Sequence, residues 1–155
     1  MDALEMKDHI SSTFPGVRVM QAYGDTFFVY DPEGDLPPDR QLPFATIVTD
    51  DNYDRVSRLG GSDAYRLNIG LTKAGYTALF GAPPTERDDQ GVFDTGHDYA
   101  ERDRVLPHPV YASQHWVCVV SPGEATRAAV ESMLAEAHAF AARKHANHRA
   151  RRTAG

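Results

Sequence analysis

The chain has 155 residues, of which 41% are hydrophobic and 25% are charged, and its formal net charge at pH 7 is −6. This length and composition are typical of one soluble globular domain with a modest core. Because no apolar run is long enough to cross a bilayer and the first residues lack the regions of a secretory signal, we expect a cytoplasmic protein. A single cysteine excludes an internal disulfide framework.

Charge is distributed unevenly along the chain. Residues 143–155 contain five basic side chains and no acidic one, which leaves 11 basic against 22 acidic residues in the rest. An acidic body repels phosphate backbones, so this distribution disfavours nucleic acid as a partner, except through the basic end. We expect a single domain over residues 1–146 and a basic, disordered tail over residues 147–155.

The first half of the chain contains patterns for one helix and three strands. The helix is predicted over residues 2–13, with Asp2 at its N-cap. The strands are predicted over residues 17–22, 26–30 and 44–49. A turn signal over residues 23–25 joins the first two strands as a hairpin.

Residues 65–71 alternate strictly between apolar and polar side chains, which predicts a fourth strand with Arg66, Asn68 and Gly70 on its polar face. A short helix between Thr72 and Gly81 follows, and then a loop over residues 82–114.

Residues 115–120 form the fifth predicted strand. The sequence Ser121-Pro122-Gly123-Glu124 is typical of a helix start, with serine at the cap and proline in the first turn. The helix that follows has an apolar face made of Val130, Met133, Leu134, Ala137, Phe140 and Ala141.

This order predicts an α+β fold: a mainly antiparallel sheet of about five strands, with an N-terminal helix and a long C-terminal helix on one face. Four segments, at residues 44–48, 65–70, 109–117 and the helix after Ser121, resemble the MmcQ/YjbR-like proteins over roughly residues 44–142. The Arg-Leu-Asn-Ile-Gly strand and Leu-Pro-His-Pro-Val-Tyr loop are more similar to an actinobacterial family of unknown function. The resemblance implies a compact α+β domain, sometimes described as double-wing DNA-binding-like, and no catalytic mechanism.

The polar face of the fourth strand is the leading candidate site. A guanidinium beside an amide, at Arg66 and Asn68, is suited to hold a carboxylate or phosphate, although a solvated strand face gives the same pattern. We therefore predict a non-catalytic binding module for a small anionic ligand or a protein partner, with no cofactor, as a monomer or homodimer. The predicted wall lies under the 82–114 loop and consists of His108, Tyr111, His115 and Trp116.

Two alternatives remain open. The first is an enzyme, either metal-dependent or acid–base, that uses His97, His108 and His115, with Tyr111 as a further acid or base. The histidine spacings match no compact metal motif, so no metal site is predicted. The second is weak nucleic-acid binding through the basic tail. Cys118 lies in an apolar strand pattern and is interpreted as buried packing.

Overall fold

A six-stranded antiparallel sheet lies at the centre of the molecule, with its strands in the order β1-β2-β3-β4-β6-β5. The computed structural model describes residues 1–154. The strands are β1 (Val17–Ala22), β2 (Asp25–Tyr30), β3 (Pro43–Val48), β4 (Arg66–Gly70), β5 (Val105–Pro107) and β6 (Trp116–Val120). The α-helices are α1 (Ala3–Thr13), α2 (Lys73–Phe80) and α3 (Arg127–Ala154). The α+β fold class, with a helix at each end of the described chain, is thus confirmed.

Most of these elements begin or end where the local sequence favours a helix cap or a turn. Asp2 and Glu5 form a reciprocal capping box, in which the Asp2 carboxylate accepts a hydrogen bond from the Glu5 N–H at 2.8 Å. The β1–β2 hairpin turns at Tyr23 and Gly24, which both have positive φ (54° and 83°). This left-handed pair matches the twist of the two strands it joins.

The main core lies between one face of the sheet and two helices. Alternate strand residues point to this face and are fully buried, as Leu67 and Ile69 on β4 and Val117 and Val119 on β6 show. Helices α1 and α3 cover them with Met6, Ile10, Val130, Met133, Leu134 and Ala137. Burial of this apolar stripe holds α3 against the sheet. None of the helices in the described chain is long and apolar enough to cross a membrane.

The 82–114 segment contains a strand that the sequence analysis assigned to a loop. Val105–Pro107 forms β5 and pairs with β6 at the sheet edge. Three residues are too few to show an alternating pattern, and Pro107 is tolerated there because an edge strand does not need every N–H. The sheet therefore has six strands where about five were expected.

Helix α3 begins later than its sequence signal suggests. The predicted start at Ser121 is wrong: Ser121 has a φ of 44°, its hydroxyl lies 3.3 Å from the Tyr65 N–H, and the helix begins at Arg127. The turn that leads into the helix is instead held by Asp103, which precedes β5 and accepts hydrogen bonds from Gly123, Ala125 and Thr126. A residue about twenty positions away in the chain thus fixes the segment in which Ser121 was expected to start the helix.

The basic C-terminal segment differs from the disordered tail expected over residues 147–155. Helix α3 continues to Ala154, and Gly155 lies outside the described residues. His145 lies 3.0 Å from Glu33, and Arg149 contacts both Glu33 and Asp35 in the loop after β2. Carboxylates of the acidic body therefore take up part of the positive charge at this end.

Candidate ligand-binding site

The second face of the sheet carries a cavity of about 660 Å³, here called the open-face cavity. Its floor is made by Phe27, Thr46, Asn68 and Trp116, which lie on this face of four consecutive strands. Its walls come from residues 53–54 and 108–114. Where β3 begins and β4 ends, the lining continues past Leu42 and Leu71 to α3, which covers the other face of the sheet and contributes Ala137, Phe140 and Lys144. A cleft of this volume with a mostly apolar lining is typical of a small-molecule site.

A buried ion pair lies on one wall of the open-face cavity. The Arg66 guanidinium binds Asp54 in a bidentate arrangement, at 3.0 and 2.8 Å, and also donates to Ser57 at 3.0 Å. Both side chains are almost completely buried, at 3% and 6% exposed. Burial, the largest influence, disfavours the charged guanidinium, but the hydrogen bonds to Asp54 together with the nearby negative charges outweigh it and raise the pKa of Arg66 above its usual value.

The same network continues along the floor. The Arg66 Nε donates to the Asn68 carbonyl oxygen at 3.1 Å, and the Asn68 amide donates to the Thr46 hydroxyl at 3.0 Å. Arg66 therefore uses four of its five N–H donors inside the protein, and its charge is matched by Asp54. The polar face of β4 is thus a buried, internally paired network and not a solvated surface.

His108 presents a single hydrogen-bond donor to the cavity. The backbone N–H groups of Val110 and Tyr111 both donate to its Nδ1, each at 3.0 Å. A nitrogen that accepts cannot carry the proton, so the neutral ring holds it on Nε2. Burial, with the nearby Arg66 cation, lowers the pKa of His108 well below its usual value. His108 is 3% exposed and lines the cavity, and no residue in the described chain hydrogen-bonds its Nε2.

Trp116 lies directly against Gly70 on the floor of the cavity. A Cβ added at Gly70 would lie 2.8 Å from Cε2 and 2.9 Å from Cζ2 of the indole. The absence of a side chain at Gly70 therefore leaves room for the indole of Trp116. The indole lines the cavity, and its N–H has no hydrogen-bond partner among the residues described.

Replacing Gly70 by alanine is expected to displace the Trp116 ring. A methyl group forced into this contact should lower the free energy of unfolding by about 1–3 kcal/mol. Because Trp116 is the only tryptophan, its emission spectrum reports the displacement directly. Unchanged emission together with unchanged stability would show that the indole does not rest on Gly70.

The structure brings together five of the six predicted ligand-binding residues: Arg66, Asn68, His108, Tyr111 and Trp116 all line the cavity. Tyr111 lies at its rim, 48% exposed, with its ring 5.0 Å from that of His108. His115 does not line it. This residue adopts the left-handed backbone before β6, and its ring packs 5.7 Å from Tyr76.

The three histidines of the enzyme alternative have different neighbours. His97 lies beside Tyr99, with ring centroids 6.5 Å apart, whereas His115 packs on Tyr76. Within residues 1–154 no three His, Cys, Asp or Glu side chains are arranged to hold a metal ion. Cys118 is fully buried, and burial raises the pKa of its thiol to about 12, as expected for a packing residue.

Two important residues of the cavity were missed by sequence reasoning. Asp54 belongs to an acidic run after β3, and nothing in that run indicates a partner twelve residues away. Lys144 belongs to the basic C-terminal run, and its position on the cavity side of α3 follows only from how the helix packs.

Comparison with known proteins gives one match. A model for a family of unknown function (DUF6194) matches residues 1–151. No curated protein and no solved structure matches the chain. The resemblance to MmcQ/YjbR-like proteins therefore stays a prediction.

Proposed function

We propose that this chain, which belongs to the DUF6194 family, is a binding module that holds a small organic anion in the open-face cavity. The supporting observation is the pair of unused donors on the cavity lining, His108 Nε2–H and Trp116 Nε1–H. Donors without protein partners in a partly enclosed apolar cleft favour a ligand that brings its own acceptor.

Binding is favoured over acid–base catalysis by the hydrogen bonds of His108. Its Nδ1 is occupied by two backbone donors, and its lowered pKa keeps the ring neutral. The ring can therefore donate from Nε2 but has no free nitrogen with which to take up a proton. Tyr111, the other candidate acid or base, lies at the exposed rim.

The emission of Trp116 allows a direct test with organic anions. We expect 4-acetylbenzoate, an aromatic anion that also carries a carbonyl acceptor, to change this emission saturably. His108→Asn should weaken binding about tenfold or more, because a buried hydrogen bond is lost. Asparagine places an acceptor near the position of Nδ1, so the loop retains its cap, while the Nε2 donor is removed.

Tyr23→Ala is the matched control, since Tyr23 is 86% exposed in the β1–β2 turn and outside the cavity lining. It should bind the probe like the unmodified protein. The proposal is overturned if no organic anion gives a saturable response.

A protein partner is the second candidate, because apolar side chains are exposed around the cavity rim. Leu42 is 75% exposed and Tyr53 is 61% exposed, and both line the open-face cavity. Exposed apolar groups beside a cleft are common at interaction sites. Absence of any response to organic anions would favour this candidate, and affinity capture with Leu42→Ser as the comparison would test it.

A further inference from the structure

We infer that the ligand is a flat aromatic monoanion whose negative group binds Lys144 at the cavity mouth, while an uncharged acceptor reaches His108 at its base. This inference rests on the proposed function and adds the chemical class and orientation of the ligand. It moves the anion from Arg66, where the sequence pattern placed it, to the other end of the cavity.

Arg66 is a poor partner for an anion because Asp54 already neutralises its charge. Two of its nitrogens bind the Asp54 carboxylate, and little solvent reaches the pair to screen a further charge. A carboxylate placed beside Arg66 would therefore also lie near a buried carboxylate of the protein. Arg66 is better described as a positioning residue, which adds to the effect of burial in keeping His108 neutral and which holds Asn68.

Lys144 is the other cation on the cavity lining. It lies on the cavity side of α3, and its Nζ is 4.3 Å from the centre of the Phe140 ring. Within the described chain no carboxylate forms an ion pair with it. Partial burial lowers the pKa of Lys144, so a bound anion would replace solvation that the ammonium has lost.

The base of the cavity favours an uncharged acceptor. His108 is neutral and almost fully buried, and it donates one hydrogen bond from Nε2. A carbonyl oxygen satisfies this donor without the cost of burying an ionised group. Between base and mouth, the rings of Phe27, Trp116 and Phe140 line the cavity, and aromatic faces of this kind pack well against a flat ring.

Three related probes separate the two ends of the cavity. 4-Acetylbenzoate carries both groups, 4-acetylbenzamide lacks the charge, and 4-isopropylbenzoate lacks the carbonyl. By calorimetry, 4-acetylbenzoate should bind about five- to tenfold more tightly than either of the others, as expected for one ion pair or one hydrogen bond.

Variants then assign each group to its residue. Lys144→Met should weaken 4-acetylbenzoate about five- to tenfold and leave 4-acetylbenzamide unchanged, whereas Lys144→Arg should retain the affinity. His108→Asn should weaken both acetyl compounds and spare 4-isopropylbenzoate. Arg143→Met is the matched control, because Arg143 also lies over Phe140, at 5.7 Å, but does not line the cavity.

The outcomes distinguish this inference from the proposed function. Saturable binding that Lys144→Met does not weaken, or weakens equally for the carboxylate and the amide, overturns the orientation and leaves the binding module in place. Failure of every probe to bind, here and in the tryptophan titration, overturns both.

Discussion

Replacing Asp54 by asparagine is expected to lower the free energy of unfolding by about 3–5 kcal/mol. Asparagine keeps the shape of the side chain but removes the charge, which leaves the Arg66 guanidinium buried at 3% exposure without a counter-ion. For a domain of this length, the thermal midpoint should fall on the order of 10 °C. Thermal and chemical unfolding, followed by circular dichroism, would measure the loss.

An exposed ion pair provides the comparison. Arg102 contacts Asp63 at 2.9 Å, and both side chains are more than half exposed, so Asp63→Asn should change stability very little. In a double variant, Asp54→Leu with Arg66→Met, neither charge is buried, and much of the stability lost in Asp54→Asn should return. If Asp54→Asn lowers the free energy of unfolding no more than Asp63→Asn does, the buried pair is not formed in solution.

Replacing Asp103 by alanine is expected to lower the free energy of unfolding by about 2 kcal/mol, because the turn that leads into α3 loses a shared hydrogen-bond acceptor. Its carboxylate accepts four hydrogen bonds, from the N–H groups of Gly123, Ala125 and Thr126 and from the Thr126 hydroxyl. Because Asp103 has a φ of 55°, alanine adds backbone strain. Asparagine tolerates this conformation, so Asp103→Asn should lower the free energy of unfolding less than Asp103→Ala does.

The effect of Asp103 should depend on pH in a defined direction. The Thr126 hydroxyl, with the backbone N–H groups, lowers the pKa of the Asp103 carboxyl below its ordinary value of 3.8. The unfolded chain therefore takes up a proton at a higher pH than the folded protein does. Stability from Asp103 is fully present above pH 3.8 and is lost as the pH falls through the lower, folded-state pKa.

A series of urea titrations between pH 7 and pH 3 would check this dependence. The difference in unfolding free energy between the unmodified protein and Asp103→Ala should be constant down to about pH 4 and then shrink. A difference that stays constant to the lowest pH at which both proteins fold would mean that the carboxylate does not hold the turn before α3.

Most secondary structure elements were predictable from sequence because their signals are local. The capping box at Asp2, the hairpin turn at Tyr23-Gly24 and the alternation along β4 each depend on residues within a few positions of one another. Thr72 caps α2 through the Gly75 N–H, and Gly81 closes it, as predicted. The fold class follows from the order of such elements.

The elements that were missed depend on distant partners. The edge strand β5 has only three residues, and pairing with β6 alone makes it a strand. The turn before α3 is held by Asp103, across about twenty residues, so a good local signal at Ser121 was misleading. At both positions tertiary hydrogen bonds outweigh local preference.

The candidate site divides in the same way. The sequence alone determined the α+β fold class, the polar face of β4 and the candidate residues of the Leu106–Tyr111 loop. It could do so because residue type and alternation are local properties of the chain. Only the tertiary structure decided that Arg66 is buried and paired with Asp54, that His115 faces Tyr76, and that Lys144 reaches the cavity. Charge compensation and burial are properties of groups brought together in space, and no spacing along a single chain specifies them.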